Sequence, residues 1–228
     1  MKYRHALLLV LAILIIDQAS KIYIKTHFYM GEEVNVIGHW FRLHFLENEG
    51  MAFGMKFSQT EAGKILLSLF RLVAVVVGFF LLRKLTRGPY TKGLVICGAL
   101  ILAGAMGNLI DSLFYGLIFT ESTFHIAQMV APGQGYAGFL HGKVVDMLYF
   151  PIASIHIPDG FPLIGGKQFE FFEPVFNIAD ASITIGVFVL IFFQKKLLPH
   201  RHETNQKKPV QATTREDYEQ PTRSADTH

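Results

Sequence analysis

Residues 94–111 read LVICGALILAGAMGNLID, an apolar run that ends in an amide at Asn108 and an acid at Asp111. With its flanks it supplies the roughly 20 residues that a membrane-spanning helix needs. Three further runs have the same character: Leu7 to Ile16, Ile65 to Leu82 and Ile183 to Phe193. The expected fold is therefore an all-α membrane protein with four transmembrane helices, at about 6–25, 63–83, 92–111 and 176–195. Composition agrees: 51% of the residues are hydrophobic and Phe alone supplies 21 of 228, which suits a chain whose main solvent is lipid.

Charge sets the direction of the helices. Basic residues cluster at Lys2 and Arg4, at Arg83, Lys84, Arg87 and Lys92, and at Lys195, Lys196 and Arg201. An even number of crossings puts all three clusters on one side, and the positive-inside rule makes that side cytoplasmic. Both termini are then inside, the turn at Gly88-Pro89 joins spans two and three on the inside, and segments of about 26–62 and 112–175 lie outside. Asp17 and Lys21 come late in an outward helix, Asn108 and Asp111 end another, and Asn177 and Asp180 open an inward one, so all converge on the outer leaflet. The first run also has the basic start and apolar centre of a cleavable signal peptide, but its small-x-small pattern is poor and Asp17 and Lys21 have the i, i+4 spacing of a helical ion pair.

In the first external segment, the alternation of Phe41-Arg42-Leu43-His44-Phe45 predicts a half-buried strand, and Glu47-Asn48-Glu49-Gly50 predicts a turn. A small periplasmic β-sheet is expected, with the aromatic-rich second segment forming an interfacial loop or helix. Ala99, Ala103 and Gly107 follow one another at four-residue spacing, which lets neighbouring helices approach the third span closely. One four-helix transmembrane domain over 1–199 and a disordered polar tail over 200–228 complete the expected organisation.

An acid at a hydrocarbon boundary is costly unless paired or hydrated, which makes Asp146, closing Gly142-Lys143-Val144-Val145-Asp146, and Asp180, closing Phe176-Asn177-Ile178-Ala179-Asp180, functional candidates. Taken singly, Asp180 also reads as a helix-start acid favoured by the macrodipole, and Asp146 as a solvated loop acid. Arg71, inside the second span, either snorkels to the interface or holds a phosphate or a substrate carbonyl. The lone Cys97 leaves no thiol cluster, and the net charge of +3 is scattered rather than gathered into a nucleic-acid patch. No H-E-x-x-H or G-x-S-x-G occurs, which disfavours zinc and serine mechanisms. A transporter would spread its polar residues through the membrane depth and show a repeat, whereas a lipid-binding scaffold would tolerate loss of both acids.

Five stretches in order resemble the bacterial lipoprotein signal peptidase (type II signal peptidase) family: Asp17 to Lys21, Asn48 to Gly54, Gly104 to Asp111, Val144 to Asp146 and Phe176 to Asp180. The resemblance implies an intramembrane aspartyl endopeptidase of the bacterial cytoplasmic (inner) membrane, with its site near the periplasmic face. It would cut prolipoproteins before a diacylglyceryl-bearing cysteine. It makes Asp146 and Asp180 the catalytic pair, with Asn108, Asp111, Asn177, Asp17 and Lys21 as supporting residues and Asn48 and Gly50 in the external sheet over the site. It implies no metal or cofactor; the partners are the lipidated precursor and membrane lipids, not nucleic acid, and the protein acts as a monomer. Where the family usually has an arginine directly after the third-span acid, this chain has Ser112, and Arg71 is the candidate substitute. The insert between Ser112 and His141 is longer than usual and suits a lid or a partner surface.

Two neighbouring carboxylates suit peptide hydrolysis because they do not readily ionise together. The ionised member activates water, and the protonated member supplies the leaving amine with a proton. Asn177 and Asp180, at i, i+3, share one helical face, which puts an amide beside the acid.

Overall fold

The computed structural model describes residues 1–48, 61–151, 153–156, 168–171 and 174–197. Among the described residues four helices are long and apolar enough to cross a membrane. They are α1 (Tyr3–His27), α2 (Glu61–Arg87), α3 (Lys92–Ile110) and α5 (Ile178–Leu197), with the short α4 (Gly116–Ile118) lying between the last two. The Gly50 position and the tail expected at 200–228 lie outside the described residues.

α3 occupies the centre. Of its most apolar stretch 56% is buried, against at most 22% for the other three spans, and it packs against α1, α2 and α5. The small residues singled out in the sequence explain how. Ala99 and Ala103 are fully buried. A Cβ at Gly104 would strike the Ala179 carbonyl, and one at Gly107 would lie 2.5 Å from Asp17 Oδ2 and 3.0 Å from the Ala179 Cβ. These two glycines thus bring α1 and α5 against the same end of α3, which dispersion between close backbones then stabilises. At the opposite end Thr91 caps α3 by accepting from the Leu94 N–H (3.2 Å) and donates to the Leu197 carbonyl (2.9 Å), fixing the antiparallel register of α3 and α5. Leu8, Leu11, Phe70, Phe80 and Phe192 stay exposed on the outside of the bundle, as lipid-facing residues should.

α3 does not stop at Asp111. It passes through one π-turn, Asp111–Tyr115, into α4, so the helical span runs from Lys92 to Ile118. π-bulges of this kind are frequent at functional sites. From Phe119 to Lys143 the insert is irregular, pinned by an isolated bridge between Phe119 and Met129.

At that end of the bundle sits an antiparallel sheet in the order β1 (Glu33–Ile37), β2 (Phe41–Asn48), β3 (Val144–Tyr149). A separate two-stranded ladder pairs β4 (Ala153–His156) with β5 (Gln168–Phe171). Phe45 is the one fully buried residue of β2; the rest of the strand is half-buried, Arg42 and His44 as much as Phe41 and Leu43. The turn expected at Glu47-Asn48 is instead strand, because Glu47 pairs with Val145 and Asn48 with Val144; Glu49 lies outside the described residues. β3 is joined to α5 through Phe176, whose carbonyl accepts from the Met147 and Leu148 N–H groups. That joint sets Asp146 beside the first turn of α5.

Candidate active site

The site lies where the sheet meets the ends of α1, α3 and α5. Asn177 is the N-cap of α5: its Oδ1 accepts from the Asp180 N–H at 2.8 Å, and Asp180 Oδ2 accepts from the Asn177 N–H at 3.4 Å. This reciprocal capping box locks the Asp180 side chain back over the helix start. Asn177 Nδ2 donates to Asp146 Oδ1 at 2.7 Å, to the Val145 carbonyl at 3.2 Å and to Asn108 Oδ1 at 3.1 Å. Asn108 in turn donates from Nδ2 to Asp180 Oδ1 at 2.7 Å. One residue, Asn177, therefore contacts both carboxylates, and Asn108 closes the link between them.

Asp146 is 4% exposed, whereas Asp180 is half-buried. Burial first, and then the charge of Asp180, raise the Asp146 carboxyl from 3.8 to about 7; hydrogen bonds from Asn177 and Asn48 and the charge of Lys21 oppose the shift. Asn48 thus meets Asp146 from the end of β2, the sheet in which the family resemblance put it. A carboxyl that keeps its proton up to neutrality beside an ionisable partner is the arrangement two-carboxylate hydrolysis requires.

A second pair of acids is arranged differently. Lys21 Nζ lies 3.0 Å from Asp17 Oδ2 and 2.8 Å from Asp111 Oδ2, and donates to Asn108 Oδ1 at 3.0 Å, with all three charged side chains essentially inaccessible. Asp17 Oδ1 accepts from the Ala179 N–H at 2.8 Å and Asp111 Oδ2 from the Val145 N–H at 3.3 Å. These groups hold α5 and β3, the two elements that carry Asp180 and Asp146.

Gln18 and Tyr115 complete this frame, and sequence reasoning did not single them out. Gln18 Nε2 donates to Asp111 Oδ1 (2.9 Å), Asp17 Oδ2 (3.1 Å) and the Gly107 carbonyl (3.2 Å), while the buried Tyr115 hydroxyl donates to Gln18 Oε1 (3.2 Å). The available signal was Gln18 lying inside the Asp17-to-Lys21 stretch. Lys25 was also missed: fully buried, it pairs with Glu47 and donates to Ser122 Oγ at 2.8 Å, tying α1 to β2 and the insert. Its i, i+4 spacing from Lys21 was the clue.

Arg71 does not snorkel. Its Nη1 donates to Ser112 Oγ at 2.6 Å, Ser112 donates onward to the Asn108 carbonyl at 2.9 Å, and the guanidinium lies within electrostatic reach of Asp111, Asp180 and Asp146. The α2 residue thus delivers its charge to the position of the serine that stands in place of the expected arginine.

The family model for signal peptidase II matches residues 9–195. The chain belongs to the signal peptidase II family. Lipoprotein signal peptidases of Porphyromonas gingivalis and Moorella thermoacetica are similar to it. The first is 45% identical over 80% of this chain and 79% of its own length; the second is 39% identical over 85% and 93%. Two solved structures described as bacterial membrane enzymes share the fold. One has a TM-score of 0.54 at 24% identity, covering 84% of this chain and 93% of its own, and the other 0.53 at 23%, covering 92% and 94%. Family membership makes this chain a multi-pass membrane protease of the aspartic class, and α1, which supplies Asp17 and Lys21, is part of the family match.

Proposed function

We propose that Asp146 and Asp180 are the catalytic pair with which this signal peptidase removes the signal peptide of prolipoproteins, cutting before a cysteine that carries a diacylglyceryl group. The observation that carries this reading is Asn177, which bonds Asp146 through its side chain and Asp180 through its cap. With one proton between the two acids, the ionised member takes a proton from a water that attacks the scissile carbonyl. The protonated member supports the tetrahedral oxyanion and passes its proton to the leaving amine. The titration belongs to the pair, so neither residue is given a fixed role. Asn108 and Asn177 orient the carboxylates through neutral amides, and Arg71 holds a substrate carbonyl or phosphate beside them.

In this reading the basic ends of the helices face the cytoplasm, both termini lie inside, and the sheet and the acids lie at the periplasmic face of the inner membrane. A single copy suffices, because one chain provides every group named. The test is incubation of purified protein with a diacylglyceryl-modified precursor and with its unlipidated counterpart, read as a gel shift. Cleavage of the lipidated form alone is expected; equal cleavage of both would remove the diacylglyceryl requirement.

A further inference from the structure

One buried ion pair takes no part in the chemistry proposed above. Asp17, Lys21 and Lys25 follow one another at four-residue spacing along α1, and all three are fully buried. Lys21 turns to Asp17 and Asp111, whereas Lys25 pairs with Glu47 of β2 and donates to Ser122 Oγ at 2.8 Å. Ser122 donates in turn to the same Glu47 oxygen, Oε1, at 2.7 Å. The rings of Phe119 and Tyr136 cover the ammonium, with centroids 5.4 and 5.1 Å from Nζ. Glu47 Oε2 is buried, makes no hydrogen bond among the described residues and lies 3.9 Å from Lys143 Nζ. The carboxylate is therefore gripped through the one oxygen that Lys25 and Ser122 share.

We propose that Lys25 and Glu47 are a positioning pair for the reaction: they fix the end of β2 so that Asn48 keeps its hydrogen bond to Asp146. This rests on the assignment of Asp146 to the catalytic pair. Across the β2–β3 ladder Leu46 pairs with Asp146, Glu47 with Val145 and Asn48 with Val144. Side chains alternate along a strand, and directly paired residues share a face, so Leu46, Asn48 and Asp146 lie on one face of the sheet. Glu47 and Val145 lie on the other, toward the buried cluster that contains Val145, Phe45 and Phe119. Lys25 thus grips the sheet from behind, at the residue next to Asn48, the last of the strand.

Register is what such a pair supplies. A buried ion pair stabilises a fold no more than well-packed apolar side chains of the same volume, and fixing register is its best-attested use. β2 needs that here. Its pairing with β3 shifts between Leu43 and Leu46, so the first half of the strand does not dictate the register at Asn48. A slip of one residue would turn the side chains of 46–48 to the opposite face, carrying Asn48 away from Asp146 and the Glu47 carboxylate toward it. The Lys25 ammonium, fixed behind the sheet by α1 and by Ser122 of the insert, opposes that slip.

The test is a carboxyl ¹³C titration of Asp146 in full-length protein carrying both Lys25→Met and Glu47→Leu, in detergent. Removing the two charges together strands neither and keeps the net charge, so a moved midpoint reads position rather than charge. Asp180 of α5, Lys21 of α1, Arg71 of α2 and Asp111 of α3, the charged groups around Asp146, stay in place. The midpoint, about 7 in wild type, should rise by about 0.5–1 pH unit, because the Asn48 bond that lowers it is lost. Tm stays near that of wild type, and kcat on a lipidated precursor falls about tenfold at unchanged KM. Asn48→Ala gives the same rise, and combining it with the pair variant adds nothing further, since both act through one bond. A merely structural role would lower Tm and leave the midpoint where it is. Ser122→Ala, which keeps both charges and removes the hydroxyl they share, moves the midpoint the same way by less and decides the matter if the pair variant folds poorly. The positioning role fails on the midpoint, whereas the catalytic assignment of Asp146 fails on turnover by Asp146→Asn, so the two are told apart. A midpoint unmoved in whichever variant folds, or rises that add in full when Asn48→Ala is combined with it, would overturn the proposal.

Discussion

Two pairs of aspartates lie within one hydrogen-bonded network, and their partners set them apart. Asp17 and Asp111 share the Lys21 ammonium and are otherwise saturated by Gln18 and by backbone N–H groups. Asp146 and Asp180 are held by the amides of Asn177, Asn108 and Asn48, and among the described residues neither is in an ion pair. Through its bonds the first pair ties α1 and α3 to the starts of α5 and β3. Asp146 is buried beside a second carboxylate, and these two causes outweigh the amide hydrogen bonds and hold its proton; in the proposed mechanism that proton is the one the chemistry uses. Identical side chains thus stand in opposite surroundings, and the proposed division of roles follows that difference.

The largest effect should come from the amide-held pair. Asp146→Asn and Asp180→Asn each lower kcat on a lipidated precursor by roughly 10²–10⁴-fold or more, while insertion and monodispersity in detergent are kept. Retained turnover in either would take that residue out of the pair. Lys21→Met attacks the other pair and should act on folding: it strands two buried carboxylates at a cost of about 3–5 kcal/mol, read as a lower Tm and poor recovery of folded protein. If Lys21→Met were as stable as wild type yet inactive, the division between frame and chemistry would fail.

Smaller effects sharpen the boundary between the pairs. Arg71→Ala should raise KM about tenfold, equivalent to roughly 1.4 kcal/mol, with a lesser change in kcat. Adding Ser112→Arg to Arg71→Ala should recover most of that loss, because the charge returns to the same place from α3. A KM unmoved by Arg71→Ala would return Arg71 to a packing role.

A separate effect falls on pH-dependent stability. Because Asp146 is raised from 3.8 to about 7 in the fold, the folded state holds more protons than the unfolded chain between those values, and stability falls as pH rises across that window. Asp146→Asn, which mimics the protonated form, should flatten this fall and gain Tm relative to wild type above neutrality.

The spans were legible in the sequence because a bilayer demands long apolar runs, and the convergence of acids followed from charge bias alone. The end of the third span was not. A charged residue ordinarily marks a helix boundary, but Lys21 neutralises Asp111 within the helix, and the chain continues through the π-turn to Ile118. The turn signal at Glu47-Asn48 lost to pairing with β3, a partner nearly a hundred residues away that no local pattern reveals. Asn177 was placed beside Asp180 by helical spacing, whereas its bond to Asp146 depends on the β3–α5 joint at Phe176. Gln18 and Tyr115 look like ordinary helix residues until three helices meet around them. Arg71 drew attention as a charge in an apolar run, whereas its bond to Ser112 depends on how α2 packs against α3.

The most direct test of the shared proton is a carboxyl ¹³C titration of aspartate-labelled protein in detergent, with Asp146 assigned by comparison with Asp146→Asn. The expected midpoint for Asp146 is near 7, shifting downward but staying above 3.8 in Asp180→Asn, because burial contributes more than the partner's charge. An Asp146 carboxyl that is already ionised at pH 5 and indifferent to Asp180→Asn would contradict the account.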